Sequence, residues 1–123
     1  MNVWLCIAAI NGGLAVAAGA FGAHGLQGRI DAQALQVFET AARYHMYHAL
    51  ALAVAALVMR DAAAGPATTA ATFFLAGILL FSGSLYLLAL TGTKPLGIVT
   101  PFGGLCFLLG WGSLAFAALR LKV

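Results

Sequence analysis

The sequence predicts an all-α integral membrane protein: a four-helix bundle with an interfacial amphipathic helix before its second span. Three observations predict this. Hydrophobic residues make up 63% of the 123 positions and charged residues 7%, and the mean hydropathy is +1.03. A soluble domain of this length needs a largely polar surface, which six basic and three acidic side chains cannot supply. Apolar stretches of roughly 20 residues, enough to cross a hydrocarbon core of about 30 Å, also recur along the chain and nearly exhaust it. Finally, the breaks between them carry glycine, proline and charge, and no stretch reads as a strand. The expected organisation is one membrane domain over residues 1–123, with spans at about 3–23, 42–59, 69–90 and 101–119 and an interfacial helix at about 31–43.

The first span is apolar apart from Asn11 and rich in small residues. Ala9, Gly13 and Ala17 fall on one stripe, and Ala15, Gly19 and Ala23 on another. Such spacing lets helix backbones approach closely in lipid, although no strict GxxxG occurs. No Lys or Arg precedes this stretch, and it is longer than a signal-peptide core, so a retained helix is expected. Gly22, Gly25 and Gly28 end it. Asp31 is placed to cap the next helix.

From Ala32 to Met59 neither glycine nor proline interrupts the chain. The first half is amphipathic. Ala34, Leu35, Phe38, Ala41 and Ala42 form its apolar face, and Gln33, Gln36, Glu39, Thr40 and Arg43 its polar one. Glu39 and Arg43 stand in the favoured i,i+4 order. This half is expected in the membrane interface, and the half from Tyr44 in the core. Arg60, Asp61, Gly65 and Pro66 read as a tight connection, and residues 91–100, with Lys94, Pro95 and Gly97, as a loop. Pro101 is expected to open the fourth helix. The glycines singled out for helix packing are Gly12, Gly13, Gly19, Gly22, Gly83, Gly103, Gly104 and Gly110.

Four spans place both termini on one side. Arg60, Arg120 and Lys122 then oppose Arg29, Arg43 and Lys94, a tie under the positive-inside rule. Termini inside is the preferred orientation, because the second set is partly neutralised or embedded in the interfacial helix. The net charge of +3 is scattered along the chain, which excludes a nucleic-acid partner and leaves membrane lipids as the expected contact. Cys6 and Cys106 lie in apolar stretches without metal-ligand spacing and read as core residues.

One polar constellation stands out. His24 ends the first helix, and His45 and His48 follow at i,i+3 in the second, flanked by Tyr44 and Tyr47. Asn11, Ser82 and Ser84 are the polar residues that would extend such a site inward. Three readings compete. Interface anchoring and helix–helix hydrogen bonding is the plainest. A metal or cofactor site at His24, His45 and His48 is a weak candidate, since no carboxylate or thiolate stands beside them. A proton or solute path is the third. No resident metal or cofactor is expected. The absence of a carboxylate pair, of a matched base for Ser82 or Ser84 and of a nucleotide-binding strand–turn–helix argues against an enzyme.

Several motifs together carry a resemblance. They are Gly19-Ala20-Phe21-Gly22-Ala23-His24-Gly25, Thr40 to Ala51 (TAARYHMYHALA), Phe81 to Leu90 (FSGSLYLLAL), Thr100-Pro101-Phe102-Gly103-Gly104 and Gly110-Trp111. In order and spacing, over essentially the whole chain, they resemble the bacterial inner-membrane family catalogued as domain of unknown function 423. A small eukaryotic transmembrane protein, number 256 of its series, looks related. The resemblance implies a four-helix membrane protein and no particular activity. It draws attention to His24, Tyr44, His48, Ser82, Ser84, Tyr86, Thr100 and Pro101. The expected role is that of an accessory or scaffold protein acting through helix packing and lipid contacts, as a homo-oligomer or a subunit of a larger membrane complex. The alternative is a small permease or proton-conducting protein, and the third a metal- or cofactor-binding subunit.

Overall fold

A computed structural model describes residues 1–122 and contains helices and turns, with no strand among the described residues. α1 runs over Val3–Ala20 and continues into a wider π-helical turn at Phe21–Gly25. α2 is a single helix over Ala32–Leu57. α3 (Ala64–Gly77) passes through a second π turn (Ile78–Ser82) into α4 (Gly83–Thr91) without a break. α5 covers Thr100–Arg120. Three stretches are long and apolar enough to cross a membrane by length and composition: Val3–Gly25, Asp61–Thr91 and Lys94–Arg120.

Local chemistry sets the ends. The Asn2 side chain accepts from the Leu5 N–H at 3.0 Å and caps α1. Its amide also donates to the Ala56 carbonyl at 3.2 Å, tying the start of α1 to the end of α2. The Asp31 carboxylate accepts from the Ala34 N–H at 2.7 Å, the cap that starts α2. Gly92 ends α4 at φ 68°, where its N–H reaches the Leu88 carbonyl and a Cβ would be strained.

Two connections differ from the sequence expectation. The link after α2 is only Val58–Arg60, followed by a 3-10 turn at Asp61–Ala63, so Gly65 and Pro66 belong to the first turn of α3. A proline there forfeits no helical hydrogen bond, because the first N–H groups of a helix have no partner anyway. The stretch expected as a loop holds a 3-10 turn at Lys94–Ile98. Nor does any break divide α2 at residue 43: its amphipathic and apolar halves are one helix.

The helices pack in the order α1, α2, α3–α4, α5, each antiparallel to the next. α2 is the inner member, covered by α1 on one side and by α3–α4 on the other. Ala51, Leu52, Ala55, Ala70, Ala71 and Phe74 form a fully buried core. Against α3–α4, α5 builds a seam of glycines under phenylalanine rings. Gly77 lies under Phe107, Gly110 under Phe74, and Gly103 against the backbone of Phe81. A Cβ at Gly110 would come within 2.7 Å of the Phe74 ring. The exposed surface is apolar, with Leu14, Val16, Leu79, Leu87, Leu105 and Leu108 among the outward side chains. Lipid is the solvent that tolerates such a surface.

Candidate functional site

Three side chains at the centre of the bundle join three helices. Asn11 on α1 donates its amide N–H to the Ile7 carbonyl at 2.9 Å, which leaves its oxygen to face His45 Nε2 at 3.1 Å. Nε2 must therefore carry the proton. On the other side of the ring, His45 Nδ1 lies 3.0 Å from the Tyr86 hydroxyl of α4, which donates to it when the ring is neutral. The line Ile7–Asn11–His45–Tyr86 thus runs sideways through the bundle, and it stops at a backbone carbonyl.

His48 makes a separate tie. Its Nδ1 donates to the Tyr44 carbonyl at 2.7 Å, and its Nε2 accepts from the Trp111 indole N–H of α5 at 3.2 Å. A carbonyl can only accept and an indole N–H can only donate, so the two neighbours fix one neutral tautomer. The ring stacks on Phe107 at 3.4 Å between centroids. Tyr44, Tyr47, Phe81, Phe107 and Trp111 line an outward-opening, mostly apolar cleft of about 570 Å³ in front of it.

Hydroxyls close the remaining seams. Ser82, fully buried in the second π turn, donates to the Ala41 carbonyl of α2 at 2.8 Å. Ser84 and Thr100 share a hydrogen bond of 2.7 Å between α4 and α5, and Ser84 also bonds its own helix at the Phe81 carbonyl. Among the described residues no buried side-chain nitrogen or oxygen lacks a partner.

The expected constellation is therefore divided. His45 gathers Asn11 and Tyr86, whereas His48 gathers Tyr44 and Trp111. His24 is exposed and joins neither set. Positions i and i+3 differ by about 60° around a helix, enough to send two rings to different neighbours. Among the described residues no three His, Cys, Asp or Glu side chains come together as a metal-ligand set. Both ring nitrogens of His45 and of His48 are already engaged.

The packing glycines divide as well. Gly22 lies under Phe38, and Gly103 and Gly110 sit in the α5 seam. Gly83 and Gly104 have only loose neighbours, and Gly12, Gly13 and Gly19 meet nothing in the chain. Sequence reasoning quoted Trp111 only as part of a motif and assigned no packing role to Gly77 or Phe107. A tryptophan in mid-span, whose N–H needs an acceptor, is the one signal that pointed to a partner.

Over residues 18–104 the chain matches the family described as "Protein of unknown function (DUF423)". It is 49% identical over 121 residues to the UPF0382 membrane protein YwdK of Bacillus subtilis, covering 98% of each chain. It is 43% identical over 120 residues to the UPF0382 membrane protein SAB0533 of Staphylococcus aureus, again covering 98% of each. The UPF0382 membrane protein of Haemophilus influenzae is 43% identical, over 98% of this chain and 97% of its own. No solved structure matches the chain.

Proposed function

The chain belongs to the DUF423 family of membrane proteins, and from that premise we propose that it is an accessory or scaffold protein that works by helix packing, self-association and lipid contact. In this reading α1, α2, α3–α4 and α5 all cross a bacterial inner membrane. The termini face the cytoplasm with Arg60, Arg120 and Lys122.

One observation carries the proposal: the buried polar groups run across the bundle, each spent on joining helices. Asn11 and His45 join α1 to α2, and Tyr86 and Ser82 join α2 to α4 and the turn before it. Trp111 joins α5 to α2, and Ser84 and Thr100 join α4 to α5. Helices that touch side by side share a depth, so these bonds tie the bundle laterally and leave no polar file from one face to the other. In lipid, where apolar burial gives helices little reason to associate, such ties and close small-residue contacts are the available adhesives.

The test is native mass spectrometry of the full chain released from lipid nanodiscs. Multiples of the chain mass, or added protein subunits, are expected. A lone chain in every lipid composition would overturn the reading. The permease reading draws on the depth of His45 and His48 and is separated by proton flux in proteoliposomes. His45→Phe would abolish flux under that reading and has no flux to abolish under ours.

A further inference from the structure

We propose that the cleft between the head of α2 and the end of α4 binds the headgroup of a zwitterionic phospholipid, with Asp31 receiving its primary ammonium and Lys94 its phosphate. The inference rests on the four-helix membrane reading above and specifies one lipid contact of that reading.

The cleft holds about 270 Å³ and is graded in polarity. Toward the end of the bundle it is lined by Asp31, Gln33 and Lys94, all exposed. A turn or more further in, it is apolar, formed by Val37 of α2 and by Leu88 and Ala89 of α4. Ala89 is buried and belongs to the cluster that holds Leu26 and Phe38, so packed core backs this inner part.

Helix length sets the depth. α2 has 26 residues, about 39 Å of helix, against a hydrocarbon core of about 30 Å. Several ångströms of it must therefore stand outside the core, and the end that carries the polar residues is the one that begins at Asp31. Gly92 and Lys94 follow the last turn of α4, where the chain turns back toward α5. Both charges thus sit at headgroup level, with Val37 and Leu88 on the hydrocarbon side of them. A phospholipid has the same grading in the same direction.

The two charges do not satisfy each other. One Asp31 oxygen accepts from the Ala34 N–H at 2.7 Å, which leaves the second for another donor. Among the described residues no ion pair joins Asp31 to Lys94, although both line one cleft. An anion and a cation held apart across a cleft match a molecule that carries both signs a few bonds apart. A headgroup of one sign would meet one like charge there. A carboxylate only accepts hydrogen bonds, so it favours an ammonium with N–H donors over a trimethylated one. The lysine ammonium is a point-charge donor to phosphate. The acyl chains would continue inward past Leu87 and Leu90, which are exposed on α4.

The experiment is native mass spectrometry of the full chain released from nanodiscs. The discs hold equal parts of phosphatidylethanolamine, phosphatidylcholine and phosphatidylglycerol with identical acyl chains. The ethanolamine lipid should be retained at least about threefold over either of the others, the worth of one exposed charge pair. Asp31→Asn keeps a capping oxygen for α2 but loses the charge, and should bring the ethanolamine lipid down to the level of the choline lipid. Lys94→Gln should lower retention of the ethanolamine lipid by a similar factor. Asp61→Asn, at the opposite end of the bundle, should change nothing. Equal retention of the three lipids, a preference for the glycerol lipid, or an Asp31→Asn protein that behaves as its parent would each overturn the assignment. So would displacement of the bound lipid by free glycerophosphoethanolamine, which would make the soluble headgroup the ligand. If the chain is multimeric in the same spectra while the three lipids are retained equally, only this site is wrong and the packing reading stands.

Discussion

The two outer contacts of the bundle, α1 on α2 and α5 on α3–α4, are built on different principles. Where α1 meets α2, small residues and polar ties make the contact: Ala8 and Ala15 are the only residues of that helix's α-helical part that are buried, and Asn2 and Asn11 supply the specific bonds. On the far side, α5 meets α3–α4 through an apolar seam in which phenylalanine rings cover glycines at Gly77, Gly103 and Gly110. Steric fit specifies the second region and hydrogen bonding the first. Apolar area alone cannot specify either, because the same groups are equally content against lipid.

That contrast can be broken from either end. The largest effect is expected at Gly103→Leu, where a side chain must displace the Phe81 backbone. Overpacking of this kind costs about 3 kcal/mol and should lower the midpoint of thermal unfolding in detergent sharply. A Gly103→Leu protein as stable as its parent would show that the seam is loose. His45→Phe comes next. It leaves Asn11 and Tyr86 without their partner, for a loss of about 1–2 kcal/mol in the same assay. An unchanged midpoint would mean that neither bond forms in the membrane. Trp111→Phe keeps the ring but removes the N–H that His48 accepts, so about 0.6 kcal/mol is expected, the usual size of one such bond between membrane helices. Its intrinsic fluorescence should then report Trp4 alone. Gly13→Leu should change the stability of the single chain by less than about 0.5 kcal/mol, because its side chain enters open space. A large loss there, growing with protein concentration, would reveal a helix from another chain against α1.

What was legible in the sequence follows the same division. Asp31 at the head of α2 and Pro101 near the head of α5 are local signals, and both sit where capping chemistry places them. The all-helical class and the apolar stretches followed from composition. Pro66 misled because proline is read as a breaker, whereas a helix's first turn accepts it. The tertiary ties were largely hidden. His48 and Trp111 stand 63 residues apart, and nothing in the spacing of either helix names the other as its partner. Likewise Gly77 carries no mark that separates it from Gly13, yet one lies beneath a phenylalanine ring and the other faces open space.

The turn at Ile78–Ser82 has a genetic consequence. Its wide winding absorbs one more residue than an α-helical turn. It therefore takes up that residue between α3, which addresses α5, and α4, which carries Tyr86 toward α2. Deleting one residue here would close the turn to an ordinary α-helical one and leave α4 in phase, whereas a deletion in the regular winding of α5 would rotate the rest of that helix by about 100°. Tyr86 and Ser84 would keep facing His45 and Thr100. In this short stretch, a one-codon deletion is expected to do less harm than one in the middle of α5.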